Sequence, residues 1–404
     1  MFILKVFKII YHYFFIYIFF SPIIIFLMFF SFFKKIRFGS IRTERVGHLL
    51  ANTELYLLEK RHKKINNFLD ILYGSKFISN IQAYNMIKKR IFIFPSIISH
   101  IHNFFKLLNK NKYEISVLKG GGDRDKLGLL KYNSEIDFSD KEYDYGKELL
   151  LQKFNCDIDK DKIVFLAVRD SAYLKKEFPN NDWSYFDYRD WNINNFVIGC
   201  EYLSDLGYKV FRVGKFTNQK INCSNKNVHD YVNSIYRSDF MDIFLAKVCK
   251  FAVSTGLGID NAPLIFRKPI AMIHLPFEFS YFHSSNLVMT KHHYSVKKKK
   301  NLSISEIFEE GNKINFKYTS SGYKKIGITL IENSPEEIRD LMKEMHLKVN
   351  NKAFLLVSEE KEILSEFWKI FNFNLKKYGF ENYHGNISGN ISVSFLKKNP
   401  YFLK

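Results

Sequence analysis

The stretch DFMDIFLAKVCKFAVSTGLGIDNAPLIFRKPIAMIH, Asp239–His274, places an amphipathic helix before an apolar strand, a small-residue loop and a second apolar strand. Asp239 stands where a helix would begin, with Asp242 in a loose capping arrangement, and the helical period runs through Val248. Phe251–Ser254 and Ile270–His274 have the length and composition of buried strands. The same alternation extends upstream. Ile163–Val168 is a continuous apolar run, Phe196–Leu206 has helical spacing closed by Gly207, and Lys209–Val213 is a further strand. Strands alternating with helices predict an α/β fold with a parallel sheet covered on its faces.

In such sheets ligands collect outside the carboxyl ends of the strands. The run Ile163–Val168 leads into Arg169 and Asp170, with Tyr173 just beyond. Lys209–Val213 carries Arg212 and ends at Gly214. Phe251–Ser254 opens into Ser254-Thr255-Gly256-Leu257-Gly258, with Asp260 following. Guanidinium groups bind phosphate oxygens bidentately, and glycines let backbone N–H groups approach them. A helix start near Ile259 would add its partial positive charge. A phosphate-bearing ligand is therefore expected here, with Arg189 as a further contact. The ordinary alternatives are a surface ion pair for each arginine and a plain turn for each glycine. Tyr185, Tyr188 and Trp191 suit either stacking on a ligand ring or loop packing. STGLG is not a Walker loop, because no GK[ST] follows.

No metal site is expected. Of the three Asp-x-Asp pairs, Asp157/Asp159 and Asp159/Asp161 precede the first strand, at the edge where ligands do not gather, and Asp123/Asp125 follows glycines. The pairs His100/His102 and His292/His293 lack a third ligand at metal spacing. Cys156, Cys200, Cys223 and Cys249 form no CxxC, which fits a reducing compartment. The net charge of +20 favours anionic partners, yet the basic residues are dispersed and no nucleic-acid recognition motif is present, so nucleic acid is not expected as a partner. Lys297–Lys300 reads as a solvated loop or a contact for anionic headgroups.

Ile9–Phe33 carries no acidic or basic side chain except His12, and Lys34, Lys35 and Arg37 follow at once. That length spans a bilayer core, so an N-terminal membrane helix is expected, spanning or re-entrant at Pro22. The basic flank then places the remaining chain at the cytosolic side of an inner membrane. Ile41–Lys60 reads as a strand, a turn at Gly47 and a helix. Phe68–Leu72, Ile91–Phe94 and Tyr113–Val117 are further strand candidates, and Asp123–Tyr145 reads as a polar loop. The expected organisation is an anchor over 1–36, a first Rossmann-like domain over 37–150, a second over 151–340 and a helical tail over 341–404.

Several stretches carry a resemblance. VRDSAYL (Val168–Leu174), SYFDYRDWNINNF (Ser184–Phe196) and Asp239–Ile270 resemble a family of bacterial glycosyltransferases of surface-polysaccharide synthesis. So do ERVGHLLANTELYL (Glu44–Leu57), DRDKLGLL (Asp123–Leu130) and HGNISGNISVSFLKKN (His384–Asn399). The arrangement is more distantly similar to lipopolysaccharide heptosyltransferases and protein O-fucosyltransferases. The resemblance implies a GT-B-like fold of two Rossmann-like domains and metal-independent transfer, with no cofactor beyond a nucleotide-sugar donor substrate. It implies donor binding by the C-terminal domain, which carries the strand-end candidates Arg169, Asp170, Tyr173, Arg189, Arg212, Gly214, Ser254, Thr255, Gly256, Gly258 and Asp260. The acceptor, a saccharide or lipid-linked saccharide, falls to the N-terminal half, with Gly47, Asp123, Arg124 and Asp125 as its loop residues. His48 and Glu54 are the candidate bases, with Glu44 and Asp125 behind them. A cap for His48 and a solvated face for Glu54 are the plainer readings. The Asn/Lys-rich segment Asn350–Tyr378 departs from the family's pattern. An isomerase on the same fold and a non-catalytic membrane-associated protein remain open alternatives.

Overall fold

The computed structural model describes residues 18–63, 68–108, 113–119, 125–279, 286–350, 357–381 and 389–404. The chain divides into two compact units, Met1–Asp123 and Arg124–Lys404.

In the first unit, β1 (Lys35–Ile41) and β2 (Phe68–Gly74) pair in parallel from Lys35 opposite Phe68 to Ile41 opposite Gly74. Glu114 bridges to Phe38 and Phe94 to Tyr73, adding one parallel contact on each side. These bridges are all that forms at the strand candidates Ile91–Phe94 and Tyr113–Val117; a 3-10 turn covers Ser116–Leu118. The helix Val46–His62 connects β1 to β2, and Gly47 lies inside its first turn rather than before it.

Strand β1 begins earlier than the sequence suggests, and its basic residues belong to the fold. Arg37 donates from Nε and Nη2 to Asp70 across the β1–β2 pair, at 2.9 and 3.1 Å, and lies over the Phe68 ring. The Tyr56 hydroxyl donates to the same carboxylate at 2.7 Å. A buried Asp70 is thus held by three donors, which offsets its loss of water.

The expected membrane segment is described only from residue 18; Ile9–Tyr17 lie outside the described residues. Residues 18–30 are helical. Phe20, Ile24 and Leu27, at helical spacing, bury themselves with Ile36, Phe38, Ile71, Ile101 and Phe105. Among the described residues, no helix is long and apolar enough to cross a membrane.

The second unit is built on a seven-stranded sheet of β3 (Lys162–Ala167), β4 (Tyr208–Arg212), β5 (Val228–His229), β6 (Phe251–Ser254), β7 (Ile270–Ile273), β8 (Leu287–Met289) and β12 (Asn390–Ile391). Its order is β12-β8-β7-β6-β3-β4-β5, and every neighbouring pair is parallel. Separately, β9 (His292–Ser295) pairs antiparallel with β10 (Lys300–Asn301) and β11 (Ile328–Ile331). Lys298 and Lys300, from the basic run, both pair with Glu306.

The continuous apolar run of β3 follows from burial on both faces. Val164 and Leu166 join a cluster with Phe196, Cys200, Leu341 and Met342, while Ile163, Phe165 and Ala167, on the other face, are equally buried. Helices Val197–Asp205 and Pro335–Asn350 pack on one another, and Gly199 permits it. A Cβ there would lie 2.4 Å from the Met342 sulfur. Side chains from the C-terminal described residues join the core: Phe277 packs edge-on to Phe367, Phe371 and Phe402, and β12 completes the sheet.

Two local readings change. Helix Asp239–Val248 is capped by Ser238, whose hydroxyl accepts from Met241 N at 3.1 Å, so Asp242 is free to receive Arg237 instead. The polar stretch after Asp123 becomes a helix at Asp140–Phe154, begun by a Ser139/Glu142 capping box.

Glu337 ties three parts of the second unit. It receives His292 Nε2 at 2.9 Å, Asn399 Nδ2 at 2.7 Å and Ser334 N at 3.0 Å. Burial works to raise its pKa, but these hydrogen bonds prevail and hold it at about 2. A carboxyl whose pKa falls on folding stabilises the protein above its unfolded pKa and ceases to as the pH drops through the folded one. Glu337→Gln should therefore cost about 2–3 kcal/mol near neutrality. In urea denaturation the gap from wild type should narrow as the pH is lowered from about 4.5 towards 2.

Candidate functional site

The order of the seven-stranded sheet reverses between β3 and β6, since the chain proceeds outward from β3 to β4 and β5 and then returns to lay β6 on the other side. Loops leaving two such strands diverge and open a crevice at their carboxyl ends. Here the β3 exit is Val168-Arg169-Asp170 and the β6 exit is Thr255-Gly256-Leu257. The two exits are sewn together: Arg169 N donates to Thr255 Oγ1 at 2.8 Å, and Thr255 N donates to the Ala167 carbonyl at 3.1 Å.

The β6 loop is rigid for a specific reason. Gly256 has φ +74°, and a Cβ on it would come within 3.0 Å of His274. Ser254 Oγ donates to Asp260 at 2.9 Å and accepts from Gly256 N at 3.1 Å. Leu257 N and Asn261 Nδ2 also donate to Asp260, at 3.0 and 3.1 Å. The expected helix at Ile259 is a 3-10 turn, Gly258–Asp260, running into the short helix Asn261–Ile265. Asp260 shapes the loop from within and takes up the Leu257 N–H that a helix start would have offered outward.

Arg169 is buried except for a small fraction of its side chain, and faces Asp190 at 3.3 Å. The contact is an ion pair without hydrogen-bond geometry. Among the described residues, Arg169 Nε, Arg189 Nε and Asp190 Oδ1 have no hydrogen-bond partner. Burial, together with the neighbouring charge of Arg189, holds the Arg169 guanidinium below its ordinary pKa. Burial raises Asp190 to about 6 against the opposing pull of Arg169. Arg189 donates to the Gly256 carbonyl and so reaches the β6 loop. Two guanidiniums, the Asp190 carboxylate and the glycine loop meet here, with Asp187 close enough to act on Arg169.

Arg212 has a different role. It is 2% exposed, donates to the Gln219 carbonyl at 2.5 Å and to Asp230 at 3.2 Å, and lies 4.0 Å from Asp170. Asp170 accepts from Ala172 N at 2.9 Å and from Asn218 N at 2.8 Å. Both residues pin the segment after β4 to the β3 exit. Gly214 packs on Val232, and Tyr173 sits in the short helix Ala172–Glu177.

Two cavities adjoin this link. One of about 300 Å³ is walled by Asp170, Asp190, Trp191, Arg212 and Glu332; the other, about 610 Å³, by Lys175, Lys176, Lys215, Phe216 and Asn233. Lys291 is buried over the Trp191 ring, donates to the Asp190 carbonyl at 2.6 Å and lies 3.6 Å from Glu332. Burial lowers its pKa. The sequence reading passed over Asp190, His274, Lys291 and Glu332 as site residues. The strand-end rule could have found His274 directly after β7, and Lys291 after β8 had that three-residue strand been legible.

The remaining candidates lie elsewhere. Asp125, in the second unit, accepts from Leu129 N and Leu130 N at 2.6 and 3.0 Å, capping a 3-10 turn. Asp123 and Arg124 lie outside the described residues. In the first unit, Gly47 and Glu54 are buried, while His48 retains partial exposure in the first turn of its helix. His102 receives the Tyr73 hydroxyl at 2.8 Å and stacks on Phe38, a packing role. No group of three or more His, Cys, Asp or Glu among the described residues could hold a metal ion.

No family model matches the chain, and no curated protein matches it. Solved structures similar to it are glycosyltransferases. A family 9 glycosyl transferase from Veillonella parvula aligns at 11% identity and a TM-score of 0.48, over 78% of this chain and 98% of that one. The ADP-heptose lipopolysaccharide heptosyltransferase II of E. coli aligns at 10% identity and 0.35, over 59% and 84%. E. coli heptosyltransferase WaaC with ADP-2-deoxy-2-fluoro heptose aligns at 11% and 0.33, over 65% and 94%. TM-scores below 0.5 leave the chemistry to be read from the site itself.

Substituting Arg212 should break the fold before it touches ligand affinity. Arg212→Met leaves the Gln219 carbonyl without this donor and Asp230 with Ile221 N and Asn233 Nδ2, and should cost about 2–4 kcal/mol by thermal or urea unfolding.

Proposed function

We propose that the protein is a glycosyltransferase that binds a nucleotide-sugar in the β3/β6 crevice. The carrying observation is the pair Arg169 and Arg189, crowded together beside the glycine loop, each with an unpartnered Nε and with Asp190 as the ion-pair partner of Arg169. A diphosphate supplies the acceptors that these donors lack and neutralises their mutual repulsion. Ser254, Thr255, Gly256, Gly258 and Asp260 give the crevice its shape. The reaction needs no redox partner. The acceptor hydroxyl loses its proton to a base, its oxygen bonds the anomeric carbon, and the bond from that carbon to the diphosphate breaks. The nucleoside diphosphate leaves, its charge held by the guanidiniums. His48 is the better candidate base of the two, because Glu54 is fully buried whereas His48 is partly exposed.

We further infer that the protein works at a membrane surface, the inner membrane's cytosolic side, on a saccharide or lipid-linked saccharide acceptor. Supporting this, the helix 18–30 buries only one stripe. Phe19, Ile23, Ile25, Phe26 and Phe29 are exposed, as are Phe32 and Phe33 after it, with Lys34 and Lys35 alongside. So large an apolar face beside basic residues suits a lipid interface.

A panel of nucleotide-sugars, read by thermal shift and by transfer to saccharide acceptors, tests the enzyme. At least one donor should raise the melting temperature, and Arg169→Ala should weaken it about 10- to 100-fold while leaving the fold intact. A panel with no binder, or an unaffected Arg169→Ala, would sink the reading. His48→Ala should keep donor affinity and lose turnover. In flotation with phosphatidylglycerol vesicles, Phe26→Asp/Phe29→Asp should release protein that wild type retains.

A further inference from the structure

The opposite, amino edge of the seven-stranded sheet carries a second cavity, of about 590 Å³. Five lysines line it, drawn from four separate segments: Lys160 and Lys162 at the start of β3, Lys250 before β6, Lys268 before β7, and Lys348 in the last turn of helix Pro335–Asn350. Two carboxylates also line it, and both are committed. Asp159 pairs with Lys147, and Asp161 pairs with Lys209 at 3.0 Å while accepting from Asp157 N at 2.8 Å. Lys160 pairs with Asp157 at 3.1 Å. Among the described residues Lys162, Lys250, Lys268 and Lys348 form no ion pair. Lys162 lies against the Tyr208 ring, and Lys348 reaches only the Asn286 carbonyl, at 3.5 Å.

Helix carboxyl ends attract cations, which explains lysines near such ends one at a time. It does not explain their convergence on one cavity, or why two of them are half-buried. Burial lowers Lys268, and lowers Lys348 to about 8 despite Glu344 nearby. An ammonium group withdrawn from water without a carboxylate is a standing cost, which a bound anion would offset.

We propose that this cavity is a second anion site, built for a ligand bearing two or more phosphate groups and separate from the β3/β6 crevice. The lysines present point charges from several directions rather than the planar fork of an arginine, which suits a clustered, multiply charged anion. The ligand is either a soluble phosphate ester or neighbouring phosphate headgroups of a membrane.

Isothermal titration of the full chain with inorganic diphosphate tests the site. Arg169→Ala protein, with the crevice disabled, should still bind diphosphate, and adding Lys268→Gln/Lys348→Gln in that background, in which every lysine substitution is read, should weaken the binding by about tenfold or more. The lysine double variant should melt no lower than wild type without ligand, since it removes buried ammonium groups, and in the Arg169→Ala background diphosphate should no longer raise its melting temperature. Lys250→Gln, at an exposed position, should weaken binding severalfold with the fold untouched. Competition with phosphatidylglycerol vesicles separates the sources: vesicles that displace diphosphate in a lysine-dependent way identify headgroups, and vesicles that do not identify a soluble ester. Arg169→Ala protein that binds no diphosphate overturns the proposal, as does undiminished binding by both lysine variants in the Arg169→Ala background. Because the lysine variants leave the crevice intact and Arg169→Ala leaves the lysines intact, failure here is distinguishable from failure of the donor site.

Discussion

Parallel pairing of β3 with β6 is the constraint on which the rest of the second unit depends. Neighbouring parallel strands that are not consecutive in the chain send their following segments in different directions. The gap so formed must be lined by backbone and side chains that would otherwise be buried without partners. Thr255 closes its floor by bonding both exits, and Gly256 opens its wall by adopting a conformation that a side chain would strain. Arg169 and Arg189 are brought there by this topology, since they are distant in sequence from the loop they adjoin.

Charge is distributed unevenly about the sheet for related reasons. At the carboxyl edge, arginines and carboxylates interlock, and the buried Arg212 gives its Nη1 donors to the segment after β4. At the amino edge, lysines outnumber the carboxylates available to them. The first edge resembles a preorganised binding crevice, in which charges are fixed before a ligand arrives. The second holds unpaired ammonium groups around open space, an arrangement stabilised from outside the chain rather than within it.

The first unit shows how one segment can be apolar all round while burying only one side. Helix 18–30 sends Phe20, Ile24 and Leu27 into the β1/β2 core and leaves the other side equally apolar. A one-dimensional apolar run reports hydrophobicity on both sides without stating which partner each side meets. For the same reason Lys35 and Arg37, read as flanks of a membrane segment, are strand residues, with Arg37 held by Asp70.

The amino-acid sequence by itself determined the parallel α/β pattern of the second unit. Strands β3, β4, β6 and β7 and the helices between them are legible because doubly covered strands must be apolar at every position and amphipathic helices must repeat at their own period. It also placed Arg169 and the Ser254–Gly258 loop at strand ends, because the fold class fixes which end carries ligands. Only the tertiary structure decided that Arg212 and Asp170 hold each other's loops, that Asp260 props the loop from inside, that Asp190 faces Arg169, and that β8 and β12 extend the sheet. Those outcomes depend on which residues meet across long stretches of chain. A strand of two or three residues has no period to read, and an arginine's sequence position does not say whether its donors meet a carbonyl of its own chain or remain available to a ligand.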